Sequence, residues 1–206
     1  MSKNVLVTGA GGFIGHHLVA YLKSQGYWVR GVDLKYPEFS NSSADEYIVA
    51  DLRNLDTCIE ITAGIQDVYN LAADMGGIGY ITSKLAEIAR NNVLINSHML
   101  EASRKNDIQT FFYSSSACIY PEYKQNSTNN APLKETDAFP ADPEEGYGWE
   151  KLFSEKLCEY YRVDYGLQTR IARFHNVYGP EGAFDGGKEK APAAICRKVI
   201  EAKLNN

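Results

Sequence analysis

No apolar run in the 206 residues comes near the ~20 needed to cross a bilayer, which excludes a helical membrane span. A basic surplus is missing too: 21 lysines and arginines stand against 26 aspartates and glutamates, for a net charge of -5. With no general positive field to gather nucleic acid or an anionic membrane, any phosphate has to be met locally. The four cysteines, Cys58, Cys118, Cys158 and Cys196, include no CxxC pair, and no histidines cluster at metal-ligand spacing. Neither a metal site nor a disulfide framework is expected, and a reducing, cytoplasmic setting fits best. The opening Met1-Ser-Lys-Asn4 leads straight into a strand and a glycine turn, with nothing that resembles a signal peptide. Internal repeats and low-complexity segments are absent as well.

What is present is enough apolar sequence, 44%, for one substantial core but not for two full domains. Asn4 to Thr8 reads as a strand, and Phe13 to Gln25 carries apolar residues at helical spacing. Further strands are expected at Tyr27 to Asp33, Tyr47 to Ala50, Asp67 to Leu71, Ile108 to Ser114 and Leu167 to Phe174. Helices are expected at Leu55 to Ala63, as one long element from about Ile81 to Lys105, at Tyr147 to Val163, and at Pro192 to Lys203, where proline starts the helix. Strands alternating with helices predict a Rossmann-like α/β fold, a doubly wound parallel sheet with helices on both faces. The polar stretch Pro121 to Glu145 also holds Pro132, Pro140 and Pro143, and it is longer than a plain strand-to-helix connection requires.

Thr8-Gly-Ala-Gly-Gly-Phe-Ile-Gly15 sits between the first strand and its helix, where backbone N–H groups at a helix N-terminus can hold a pyrophosphate. Gly9 serves the tight turn, Gly12 the close approach of the diphosphate and Gly15 the packing of helix on strand, with Phe13 and Ile14 completing the cradle. A glycine triplet alone is weak, but Asp33 ends the second strand about 20 residues further on, where a carboxylate meets the adenosine ribose. Its charge would repel a 2′-phosphate, so NAD is expected over NADP, although Lys35 lies nearby.

Tyr147-Gly-Trp-Glu-Lys151 opens the helix after the long loop, and the spacing of four puts both side chains on one face. The same spacing on a surface helix means nothing. Here it follows a strand ending in Ser114-Ser-Ser116, on a sheet that already carries the dinucleotide turn, and such strand ends form the ligand crevice. An ammonium and a positive nicotinamide beside the phenol would lower its pKa from about 10 toward neutrality and let Tyr147 take a hydroxyl proton as hydride leaves.

The turn TGAGGFIG, Asn70-Leu-Ala-Ala73, the three serines before YxxxK, and Arg173-Phe-His-Asn-Val-Tyr-Gly-Pro180 together resemble the extended short-chain dehydrogenase/reductase family over nearly the whole chain. That resemblance implies Ser116 as the hydroxyl partner of Tyr147, Asp51 and Leu52 near the adenine, and the Leu71, Ala72 and Ala73 backbone along the cofactor. It also implies an NAD-binding domain over residues 1–180 and, over 181–206, an incomplete start of a substrate-binding region. A homodimer is implied through the helices holding His98 and Glu155.

Within that family, Ala73-Asp-Met-Gly-Gly-Ile78, Ser116-Ala-Cys-Ile-Tyr-Pro121 and Gly186-Gly-Lys-Glu-Lys-Ala-Pro192 resemble the GDP-mannose 3,5-epimerase branch. The resemblance implies an acid/base pair of Cys118 and Lys190, with Gly76 and Gly77 near the sugar of a GDP-sugar substrate. Ser116, Ala117, Asn176 and Glu189 belong to the same substrate set. Lys198 is a candidate for the nucleotide diphosphate, with ordinary surface charge as the equal alternative. Cys118 could equally be a buried thiol acting as a small hydrophobe, and Lys190 part of a solvated charged loop. Two rivals stay open: a GDP-4-keto-6-deoxymannose epimerase-reductase (GDP-fucose synthase), and an NAD-binding fragment without full activity.

Overall fold

The structure is a computed structural model that describes residues 3–76, 78–125, 132–187 and 189–205. Six parallel strands form one sheet in the order β3-β2-β1-β4-β5-β6: β1 (Asn4–Thr8), β2 (Trp28–Asp33), β3 (Glu46–Val49), β4 (Asp67–Asn70), β5 (Thr110–Ser116) and β6 (Gln168–Phe174). The helices are α1 (Phe13–Ser24), α2 (Leu55–Thr62), α3 (Ile78–Ser83), α4 (Leu85–Lys105), α5 (Tyr147–Tyr165) and α6 (Ala191–Leu204). Among the described residues no helix is long and apolar enough to cross a membrane.

β1 shows why the fold is doubly wound. Val5, Leu6 and Val7 are all fully buried, yet their side chains alternate between faces and enter two different cores. Val5 and Val7 meet Val19 and Leu22 of α1. Leu6 joins Cys58 and Ile61 of α2, Met99 and Leu100 of α4, Phe111 and Tyr113 of β5, and Cys158 of α5. The chain reverses its direction of winding between β1 and β4, which are hydrogen-bonded neighbours. At such a switch point the loops leaving the two strands part and open a crevice at their carboxyl ends.

One expectation is corrected here. The predicted helix from Ile81 to Lys105 is two helices, broken at Lys84 (φ -136°, ψ 44°). The residues ahead of the break are poor at continuing a helix. Ser83 Oγ donates to the Tyr80 carbonyl at 2.9 Å, a local bond of the kind that competes with the helical ladder. Beyond it, Ile81 and Ile88 share a small buried cluster with Tyr147, against which Tyr80 and Cys118 pack. In the long connection between β5 and α5 the chain forms short 3-10 turns at Ala117–Ile119, Glu122–Lys124 and Glu135–Ala138.

Candidate active site

A cleft of about 910 Å³ runs along the carboxyl ends of the strands, lined by the loops that follow all six. At its floor lies the glycine turn. Gly9 has φ +70°, and a Cβ there would stand 2.9 Å from the Ala72 nitrogen. At Gly15 a Cβ would lie 2.0 Å from the Gly9 carbonyl oxygen, so this helix position accepts no side chain at all. Gly12 is the N-cap residue of α1 and offers no side-chain cap, which leaves the first helical N–H groups open to a ligand. Gly9, Gly12, Phe13, Ile14 and Gly15 all line the cleft.

Asp33 lines the cleft beside the turn. Its Oδ2 accepts the Gly11 N–H at 3.0 Å, so the carboxylate also fixes the turn. Lys35, which could have offered a 2′-phosphate a counter-charge, is ion-paired with Glu38. Asp51, in the cleft wall beside the buried Leu52, is held by Arg53 at 2.6 Å; hydrogen bonds from that guanidinium keep its carboxyl below the ordinary range. A dinucleotide fits these residues: Gly9 and Gly15 leave no room for side chains, the helix end has no side-chain cap, and the Asp33 carboxylate lines the cleft beside the turn.

A buried polar chain joins this turn to the helix that carries YxxxK. Thr8 Oγ1 accepts the N–H groups of Leu71 and Ala72, both at 3.1 Å, and donates to Asn70 Oδ1 at 2.8 Å. Asn70 Nδ2 donates to Asn96 Oδ1 at 2.9 Å, and Asn96 Nδ2 donates to Glu150 Oε1 at 2.6 Å. The Asn70 carbonyl accepts from Ser114 Oγ at 3.0 Å, and the Ser114 carbonyl accepts from Lys151 Nζ at 2.9 Å. Thr8, Asn70, Asn96, Glu150 and Lys151 are each at most 3% exposed, so these bonds exclude water and set positions firmly. Sequence reading missed this set. Its signal was present in Asn91, Asn92 and Asn96, poor helix formers at inward positions of a long helix.

Tyr147 is buried at the start of α5, with Lys151 Nζ 5.5 Å from its ring centroid. Ser116 hydrogen-bonds the Tyr147 hydroxyl and pulls its pKa down, but burial and the nearby Glu150, Cys118 and Glu144 outweigh this and hold the phenol above its ordinary value. Burial lowers the Lys151 amine and raises the Glu150 carboxyl. The Cys118 thiol is pushed up to about 11, first by burial and then by a hydrogen bond with Glu144, while Ser116 and Lys190 act in the opposite direction. Ser116 Oγ also accepts the Cys118 N–H at 3.2 Å, which fixes the turn after β5.

The remaining expected residues divide into two groups. Leu71, Ala72, Ala73, Gly76, Ser116, Ala117, Asn176 and Lys190 line the same cleft as Tyr147 and Cys118. Glu189 accepts the Gly187 N–H at 2.7 Å and lies 3.7 Å from Arg197, so its carboxylate is occupied within its own loop. Lys198 is exposed on α6 and is not part of the cleft lining. Gly77 falls outside the described residues.

His16 and His17 sit at the rim of the cleft, where loops from opposite sides meet. His16 Nε2 lies 2.9 Å from Ser40 Oγ, and Ser40 Oγ donates to Glu181 at 3.0 Å. Phe39 packs on Phe184, with centroids 6.5 Å apart.

Residues 5–205 match the NAD dependent epimerase/dehydratase family. The chain belongs to that family, whose cofactor is NAD, and it has a Rossmann-like fold. It is 51% identical over 197 residues to the GDP-mannose 3,5-epimerase of Arabidopsis thaliana, a match covering 95% of this chain and 52% of that protein. It is 28% identical to the GDP-L-fucose synthase of Escherichia coli, over 100% of this chain and 61% of that one. The UDP-glucose 4-epimerase of Thermus thermophilus, solved in complex with NAD, superposes with a TM-score of 0.80 at 25% identity, over 95% of this chain and 61% of that one. The chain thus spans about half the length of the epimerase it matches at 51%.

Proposed function

We propose that this chain carries the cofactor and proton-transfer centre of a GDP-mannose 3,5-epimerase. The observation that supports this most is the meeting, in one cleft, of Tyr147 and Ser116 with Cys118 and Lys190. A simple hydride-transfer site needs only the first two. When bound, NAD supplies a hydride acceptor for carbon 4 of the hexose and the positive charge of its ring. A unit positive charge at about 4 Å favours a phenolate by about 4 kcal/mol at an effective dielectric of 20, or about three pKa units. That is the scale required to offset what burial and Glu150 do to Tyr147.

Tyr147 takes the hydroxyl proton at carbon 4, with Ser116 holding the oxygen. The resulting ketone acidifies the hydrogens on carbons 3 and 5. Cys118, on the turn after β5, and Lys190, at the N-cap of α6, reach the cleft from different elements. They remove a proton on one face of the sugar and return one on the other. The fucose synthase alternative gains less support, because Asp33 opposes the 2′-phosphate of NADPH and Lys35 is already paired.

In this reading residues 1–180 form the NAD-binding domain and 181–206 begin a substrate-binding region, which accords with α6 having no buried residue. A homodimer and a cytoplasmic setting complete it. Trp149, Phe153, Tyr160 and Val163 are exposed along one face of α5, and all four cysteines are free. Sedimentation at the monomer mass would remove the dimer.

The deciding measurement is solvent deuterium at carbons 3 and 5 of GDP-mannose, expected without net NADH formation. Cys118→Ser is expected to keep NAD binding while exchange falls by about 100-fold or more. Deuterium at neither carbon in the parent chain overturns the epimerase assignment.

A further inference from the structure

Glu144 lies in the segment entering α5, and two backbone bonds fix it: its N–H donates to the Cys118 carbonyl at 3.1 Å, and its carbonyl accepts the Trp149 N–H at 3.2 Å. Gly148 permits this approach. A Cβ there would come within 2.4 Å of the Cys118 carbonyl oxygen and 3.1 Å of Glu144 Cβ. Glu144 Oε1 is buried with no hydrogen-bond partner among the described residues, and the nearby carboxylate acts with burial to push the Cys118 thiol up. A buried carboxylate oxygen requires a donor, and the backbone bond between Glu144 and Cys118 brings that thiol to the same place.

We propose that Glu144 is a positioning residue for Cys118: its carboxylate accepts the thiol hydrogen, aims the sulfur and keeps it protonated until substrate occupies the cleft. The catalytic consequence rests on the epimerase reading. A thiol held in this way yields a thiolate of greater basicity once it ionises, which suits removal of a weakly acidic C–H proton. The other groups facing Cys118 are Ser116 from β5, Tyr80 from α3, Tyr147 and Lys151 from α5, and Lys190 from α6. Ser116 and Lys190 favour the thiolate, while burial and Glu144 favour the thiol.

The test is the pH dependence of Cys118 alkylation by iodoacetamide in the full chain, followed by peptide mass spectrometry, with the exposed Cys196 as internal reference. Glu144→Gln removes the charge and is expected to lower the Cys118 midpoint by at least about one pH unit, so that below both midpoints it reacts about tenfold faster. Glu144→Asp, which withdraws the charge by one methylene, is expected to lower it less, and it carries the test if the glutamine variant does not fold. Cys196 should react alike in all three chains. An unchanged or raised Cys118 midpoint overturns the proposal. Alkylation needs no turnover, so a lowered midpoint without exchange at carbons 3 and 5 removes the epimerase reading and leaves Glu144 in its role. Exchange with an unmoved midpoint does the reverse.

Discussion

Two glycine turns, one lining the cleft and one leading to Lys190 in its wall, are held in different ways. In the first, Gly9 and Gly15 are pressed against backbone: added methyl groups would stand 2.9 Å from the Ala72 nitrogen and 2.0 Å from the Gly9 oxygen. In the second, Gly186 and Gly187 have nothing within 4 Å, and what requires glycine is their positive φ, +79° and +84°. The first turn is specified by tertiary packing as well as by the φ of Gly9, the second mainly by local backbone conformation. The turn after β1 is therefore preformed, whereas Gly186 and Gly187 depend on their own dihedral angles.

The contrast is sharpest in a pair of substitutions. Gly15→Ala is expected to destabilise the chain by at least about 3 kcal/mol and to abolish NAD binding, because the colliding atom is backbone and cannot rotate away. Gly186→Ala meets only the left-handed strain, about 1–2 kcal/mol, and should leave NAD affinity unchanged. Urea midpoints and a nucleotide titration read both, and equal losses would erase the distinction between the turns. A smaller loss is expected for Asn96→Ala, which strands Asn70 Nδ2 in the interior and leaves Glu150 Oε1 with Ser154 alone, at about 2 kcal/mol in stability. Tighter NAD binding in that variant would contradict a preformed cofactor side.

The smallest effect is one of pH. Burial raises the Glu150 carboxyl in the folded chain, so its contribution is fully present below the ordinary carboxylate value and is lost as pH rises through the raised one. Glu150→Gln keeps an acceptor oxygen for Asn96 and carries no charge. The parent chain should therefore lose stability relative to this variant as pH rises from acid toward neutrality, in denaturation curves taken across that window. A constant difference would show that Glu150 does not titrate there.

The dinucleotide half was legible because its determinants are local. The apolar run of β1, the glycine spacing and Asp33 stand in sequence order, and the parallel sheet follows from alternating strands and helices, although its strand order is seen only in the structure. YxxxK was legible for the same reason. The polar chain from Thr8 through Asn70 and Asn96 to Glu150 was not, since its members come from four elements and meet only when the sheet closes. Glu144 was hidden within a long polar loop rich in acidic residues, where nothing in the spacing separates it from the exposed Glu145. The break at Lys84 escaped a periodicity that runs on through it.

At the rim, the Ser40 to Glu181 hydrogen bond and the Phe39 to Phe184 contact join two loops across the mouth of the cleft. On the proposed reading, a nucleotide held at the start of α1 would pass these contacts on leaving, and a slow release is expected. That suits a reaction in which the hydride taken from the sugar is given back to it. One nucleotide could then serve many turnovers without exchanging with the pool outside.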